Sequence, residues 1–235
     1  MIESAQDVPR ALFLHGAGGG GWEWNIWRRT FTAQAWRVHT PDLQPVRDGI
    51  IATRLADYAE QAAHHAQEAS ATVLVGASLG GLLALMIASR VEATALVLIN
   101  PLPPAGVAPP LAVREYPDVV AWSRASLAST QRALPDGDDA ARLYALRRWR
   151  DESGAVLREA RAGVAIATPP RCPILVFASE CDDDVPAQTL RALAKVCAAD
   201  LHLLHGASHV GPLLGTSAHA AAQFALSWIG RKTSA

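Results

Sequence analysis

The sequence predicts an α/β fold: a mainly parallel central sheet flanked by helices, with a helical insertion. Three observations carry this. Short, compact apolar runs recur at 10–14, 72–75, 95–99 and 174–177, each bounded by turn residues, as strands covered on both faces are. Stretches with helical apolar spacing lie between them, and strands alternating with helices build a parallel sheet. The alternation stops at Asn100-Pro101-Leu102-Pro103-Pro104 and resumes only after Arg171.

Taken in order, the first run, Arg10 to Leu14, breaks at His15-Gly16 and opens a glycine-rich loop to Gly21, after which Trp22, Trp24 and Trp27 begin a helix. Trp36 to Thr40 reads as a second strand, closed by Pro41-Asp42. Leu55, Ala59, Ala62, Ala63 and Ala66 then fall on one helical face. The strand Thr72 to Val75 runs into a sharp turn and an apolar helix, and Ala95 to Ile99 is a further buried strand. From Leu102 to Arg171 the chain is rich in Arg, Ala and Pro, with helical stretches and no strand signal. The sheet resumes at Ile174 to Phe177, followed by a helix carrying Leu190, Leu193 and Val196, a strand at 201–204, and a last helix with Ala221, Phe224, Ala225 and Trp228 on one face. The expected division is a core of residues 1–101 and 172–235 and a cap insertion of 102–171.

A chain of 235 residues, 50% hydrophobic, has length enough for one large domain with an insertion. The net charge of −1 gives no electrostatic reason to expect nucleic acid or an anionic membrane as partner. The opening MIESAQDVPR has no apolar leader region, and no apolar run approaches the ~20 residues that span a bilayer, so a cytoplasmic location is expected. Cys172, Cys181 and Cys197 are odd in number and lack metal-ligand spacing, which fits reduced thiols and no zinc site.

The strand-turn-helix at Gly76-Ala77-Ser78-Leu79-Gly80 carries the chemistry. Glycines two residues either side of Ser78 lack the Cβ that would clash where strand and helix cross, and such a turn pushes Ser78 Oγ outward as a nucleophile. A serine hydroxyl needs a base, and the base needs a carboxylate to fix its tautomer. The acidic loop Glu180-Cys181-Asp182-Asp183-Asp184 follows one strand, with Asp182 chosen and Asp183 and Asp184 as alternatives; acidic runs of this kind are ordinarily solvated. His209, in Gly206-Ala207-Ser208-His209 after the last strand, is the candidate base. His205 closes a strand and is expected to pack, and His64 and His65 lie in a polar helical stretch, expected to be solvated. Backbone N–H groups of Leu79 and of Ala17, or less favourably Gly18, would receive the negative charge that develops on a substrate oxygen. The glycine loop lacks the lysine of a phosphate cradle.

With these residues in place, the chain resembles the α/β-hydrolase superfamily. HGAGGGGWEW resembles its oxyanion loop, GASLGG its nucleophile elbow, SECDDDVP its acid loop and GASH its histidine loop; the glycine loop with Trp-x-Trp looks most like small-cap esterases and their hydroxynitrile-lyase relatives. The resemblance implies the α/β-hydrolase fold, a Ser78-His209-Asp182 triad acting on a small-molecule ester or thioester, and no cofactor. Trp22 and Val210 are the expected substrate-binding residues, while Trp122, Trp149 and the Arg147-Arg148-Arg150 cluster are open between pocket and solvated surface. A triad-based lyase and a non-catalytic ligand-binding homologue are the alternatives. Ala178-Ser179 departs from the glycine often found where the acid loop begins.

Overall fold

The computed structural model describes residues 8–233. Residues 1–7 of the polar opening stretch, read above for its want of an apolar leader, lie outside the described residues, as do 234–235. From strand β1 (Arg10–Leu14) the chain passes through the glycine loop and a 3-10 turn (Gly21–Trp24) into helix α1 (Asn25–Thr32) and strand β2 (Arg37–His39). Helix α2 (Leu55–Glu68), strand β3 (Val73–Ala77), helix α3 (Leu79–Ile87) and strand β4 (Ala95–Ile99) follow. The segment after β4 holds strand β5 (Val119–Val120), helices α4 (Leu127–Ala133) and α5 (Asp139–Leu146), strand β6 (Glu152–Ser153) and helix α6 (Gly154–Ala162). The chain returns through β7 (Ile174–Ser179), α7 (Ala187–Val196), β8 (Asp200–Leu204), α8 (Gly211–Leu214) and α9 (Ala218–Thr233).

Six strands form one sheet in the order β2-β1-β3-β4-β7-β8, and every pairing in it is parallel. The order reverses between β1 and β3, so the loops leaving their carboxyl ends diverge and open a crevice where ligands bind in sheets of this kind. The loops in question are the glycine loop and the Ser78 turn.

Side-chain alternation along the strands builds the two core layers. Leu12, Leu14, Leu74, Leu98 and Val176 face one side, packed with α2, α3 and α7 residues such as Ala62, Leu82 and Leu190. Phe13, Val75, Val97 and Phe177 face the other, against Trp27 and Phe31 of α1 and Trp228 of α9. Phe13 meets Trp24, Trp27 and Phe31 edge-on at 5.1, 6.3 and 5.0 Å between ring centroids, the geometry that ring quadrupoles favour. Helix α3 is apolar nearly all round because it lies sunk between the sheet and α2.

Two expectations are corrected. The segment 102–171 does contain strand: β5 and β6 pair antiparallel, Val119 opposite Ser153 and Val120 opposite Glu152. Two-residue strands are too short to leave an alternation in the sequence. Val196 does not share the buried face of Leu190 and Leu193 but is 68% exposed, at the last position of α7. Among the described residues no helix is long and apolar enough to cross a membrane.

Candidate active site

Ser78 joins β3 to α3 at φ +52° and ψ −117°, a conformation strained for any residue with a side chain. The surroundings hold it there. Its N–H donates to Ile99 O (2.9 Å), and its carbonyl accepts from Gly81 and Leu102 N–H (3.0 Å each). A Cβ on Gly76 would lie 2.2 Å from Gly80 O, and one on Gly80 would lie 2.1 Å from Leu14 O. Strand and helix backbones therefore cross at a distance only glycine allows, and Ser78 is left lining a cavity of about 340 Å³.

His209 lines the same cavity from the loop after β8. Its Nδ1 lies 2.7 Å from Asp182 Oδ2, and the Asp182 side chain is fully buried. The other carboxylate oxygen, Oδ1, accepts the N–H groups of Asp184 (2.8 Å) and Val185 (2.9 Å), which fixes the carboxyl plane. Burial works to lower the His209 pKa, but the charge and hydrogen bond of Asp182 outweigh it and the pKa is raised. The alternatives are engaged differently: Asp184 lines the same cavity but pairs with Arg114, and Asp183 is exposed. His205 does not pack as expected; it is 77% exposed, 3.5 Å from Glu180, since β8 is an edge strand. His64 is exposed, whereas His65 is largely covered and its ring sits 5.3 Å from that of His39.

The glycine loop is pinned on every side. His15 is buried, accepts Leu43 N–H at Nε2 (2.9 Å) and so carries its proton on Nδ1, donated to Gly16 O (2.8 Å). Burial pushes its pKa down to about 4, so it stays neutral. Gly18 N–H donates to Glu152 Oε2 (3.1 Å), which leaves it committed, while among the described residues no acceptor meets Ala17 N–H. Leu79 N–H, first in α3, likewise has no intrahelical partner. Ala17 lines the cavity beside Ser78.

Val210 lines the cavity, but Trp22 does not. Trp22 stands one layer behind, edge-on to Trp149 (5.2 Å) and Tyr144 (5.7 Å). Trp122 and Trp149 do face the cavity. The arginine cluster divides: Arg147 and Arg148 are exposed, with Arg148 stacked on Tyr144, whereas Arg150 donates to Leu43 O (2.6 Å) and ties the segment before β6 to the loop after β2.

Four residues escaped the sequence reading. Asn100, at φ +43° after β4, donates to Ser179 Oγ and to His209 O and accepts Ser179 N–H, each at 2.8 Å. Asp136 holds Ser208 through its N–H (3.1 Å) and hydroxyl (2.6 Å). Glu152 also accepts from Tyr58 (2.9 Å), and burial raises its pKa. Glu23, 3% exposed, lines the cavity with Ser78 and His209. Asn100-Pro101 was visible as a strand end, but nothing local marked Glu152 and Glu23 as buried carboxyls or Asp136 as a partner of the His209 loop.

A family model described as the alpha/beta hydrolase family matches residues 11–225. No curated protein sequence gives a significant match. Among solved structures, a monoacylglycerol lipase from Paleococcus ferrophilus superposes with a TM-score of 0.74 at 14% identity, covering 95% of this chain and 94% of the other. A methylesterase from Arabidopsis gives 0.71 at 15% identity, covering 94% and 100%. The thioesterase domain from the curacin biosynthetic pathway gives 0.67 at 19% identity, covering 95% and 93%. With the parallel sheet, the crevice at its reversal point and a family match over nearly the whole length, the chain belongs to the α/β hydrolase family.

Proposed function

We propose that the protein is a serine hydrolase that cleaves a small carboxylic ester or thioester through an acyl-enzyme on Ser78. The observation that carries this reading is the 2.7 Å contact of His209 Nδ1 with buried Asp182, in a cavity that Ser78 enters from a strained turn. Asp182 keeps the proton on Nδ1, which leaves Nε2 free as base. Ser78 Oγ attacks the carbonyl carbon while His209 takes its proton; His209 then returns that proton to the leaving alkoxide or thiolate as the C–O or C–S bond breaks. Water repeats the sequence on the acyl-enzyme and releases the acid. Ala17 and Leu79 N–H hold the oxyanion in both halves. The lipase, methylesterase and thioesterase that share the fold support this reaction class.

The insertion, residues 102–171, acts as the cap that selects substrate. It supplies Trp122, Thr130, Ala133, Trp149 and Leu157 to the cavity wall, so the acyl or alcohol portion meets mainly apolar surface. A volume of about 340 Å³ sits at the small end for ligand sites. The free cysteines fit a reducing, cytoplasmic setting.

The test is a chain-length series of activated esters and thioesters on wild type and Ser78→Ala, with mass spectrometry for acyl-Ser78. Turnover lost in Ser78→Ala, with an acyl adduct on wild-type Ser78, is expected. Undiminished hydrolysis by Ser78→Ala would refute the mechanism, and turnover without an adduct would favour the lyase.

A further inference from the structure

We propose that Glu23 is a further catalytic residue, a carboxylic acid in the wall of the Ser78 cavity that donates a hydrogen bond to the substrate oxygen as negative charge develops on it. The inference rests on the serine-hydrolase reading above.

Its position is set by the 3-10 turn Gly21–Trp24: Trp24 is driven fully into the core, and the preceding side chain is carried under the glycine loop. The contact there is tight. A Cβ on Gly19 would lie 2.2 Å from Glu23 Oε2, so a side chain there would displace the carboxyl. Oε2 accepts Gly16 N–H at 3.3 Å, one residue before the Ala17 amide assigned to the oxyanion. Gly20 N–H also points at the carboxyl, and Glu23 shares the cavity wall with Gly16, Ala17, Ser78 and His209.

The charge state follows from what faces it. His209 approaches from the loop after β8 and Arg150 from the segment before β6, and the Gly16 and Gly20 N–H groups point at the carboxyl. His15, at the end of β1, is neutral. Asp182 is spent on His209, and Asp184 pairs with Arg114. Burial outweighs His209, Arg150 and the amides and pushes the Glu23 pKa up to about 8. At neutral pH the carboxyl is therefore mostly an acid. With Oε2 accepting Gly16 N–H, the acid proton is assigned to Oε1. A neutral acid beside a developing oxyanion stabilises it; the same group ionised both loses the donor and repels the oxyanion. The proton stays on Glu23 throughout, so the Ser78-His209 proton inventory is unchanged.

The experiment measures kcat/KM for p-nitrophenyl butyrate from pH 5 to 10, corrected for spontaneous hydrolysis, on wild type, Glu23→Gln and Glu23→Leu. Wild type is expected to lose activity above pH about 8, roughly tenfold per unit, and Glu23→Gln to show no such fall, whatever its plateau. At pH 7, Glu23→Leu is expected to lose roughly 10–100-fold in kcat with a smaller change in KM, and the amide to rescue part of that loss because it still donates. Melting temperature supplies a readout without turnover. Because the folded pKa lies above the unfolded ~4.5, the acid's stabilising contribution is full below that value and lost as pH rises through about 8. The wild-type melting temperature should thus fall relative to Glu23→Gln by at least ~5 °C between pH 5 and 8.5. A flat wild-type alkaline profile, the same fall in Glu23→Gln, or equal kcat in the Gln and Leu variants overturns the proposal while Ser78-dependent hydrolysis stands. Hydrolysis that survives Ser78→Ala removes the underlying reading instead.

Discussion

Asp182→Asn changes one atom at the most constrained point of the site. Asp182 accepts three hydrogen bonds, from Asp184 N–H, Val185 N–H and His209 Nδ1. In the variant the amide oxygen keeps the two backbone donors, because turning it away would set an NH2 against two N–H groups. The NH2 then faces Nδ1 at 2.7 Å and can only donate. Nδ1 becomes an acceptor, the ring proton moves to Nε2, and the base that should accept the Ser78 proton carries one already. The expected loss in kcat is ~10³–10⁴-fold, about 4–5.5 kcal/mol at ~1.4 kcal/mol per tenfold. The fold should survive, since the variant exchanges one charge-assisted bond for a neutral one, ~1–2 kcal/mol or a few °C. Steady-state kinetics at pH 8 on a saturating activated ester, with a thermal melt beside them, test this. A folded Asp182→Asn protein within tenfold of wild-type kcat would refute the tautomer argument.

The pH profile of kcat/KM should fall on the acid side with a midpoint above ~6.5, because Asp182 raises the His209 pKa against its burial and the protonated ring cannot act as base; a midpoint below 6 contradicts the assignment. Gly80→Ala would place a methyl 2.1 Å from Leu14 O and 2.5 Å from His15 O, both backbone atoms, and is expected to lose ~3 kcal/mol or more in a denaturant melt. Gly230→Ala, in α9 with nothing within 4 Å, is the control and should match or exceed wild-type stability by up to ~1 kcal/mol. Asn100→Ala leaves buried Ser179 N–H without its acceptor and frees the His209 carbonyl, for a loss of ~1–3 kcal/mol by denaturant melt and a drop in kcat of about tenfold or more, checked by kinetics on the same preparation.

The parts of the molecule legible in sequence are those governed by local periodicity. The apolar runs at 10–14, 95–99 and 174–177 became central strands because nothing but burial on both faces suits them, and Leu55, Ala59, Ala62, Ala63 and Ala66 all reached the core. Ser78 was legible for a second reason: the two flanking glycines record a backbone crossing directly. Contacts made between distant loops leave no such record. Glu23 looks like a surface residue of a short helical turn, and only the descent of Trp24 into the core buries it. Trp22 sits in the same turn and was expected at the substrate, yet Trp149, from the segment before β6, packs on it and takes the cavity side. Glu152 and Arg150 could not be read because their partners, Gly18 and Leu43, belong to loops on the far side of the sequence.

The strand order also explains why Asn100 lies where it does. In β1-β3-β4-β7-β8, the glycine loop follows β1, Ser78 follows β3, Asp182 follows β7 and His209 follows β8, so β4 separates the strand that leads to Ser78 from the strand that leads to Asp182. The residue leaving β4 must fill that gap without blocking the cavity. A buried side chain there has, on one side, the Ser78 turn, whose N–H is taken by Ile99 O, and on the other the unpaired ends of β7 and the His209 loop. Asparagine satisfies both of the latter at once, with its oxygen on Ser179 N–H and its NH2 shared between Ser179 Oγ and His209 O. An aspartate would lack the donors, and an apolar residue would leave three polar groups open. The positive φ at Asn100 is then the cost of turning a strand end inward, ~1–3 kcal/mol held by three hydrogen bonds. Asn100→Asp separates the two halves of this argument: it keeps the Ser179 N–H acceptor but sets a carboxylate against the His209 carbonyl, so stability and kcat should both fall, and the ratio of variant to wild-type kcat at the same pH should rise below the pH at which the new carboxyl protonates and regains a donor.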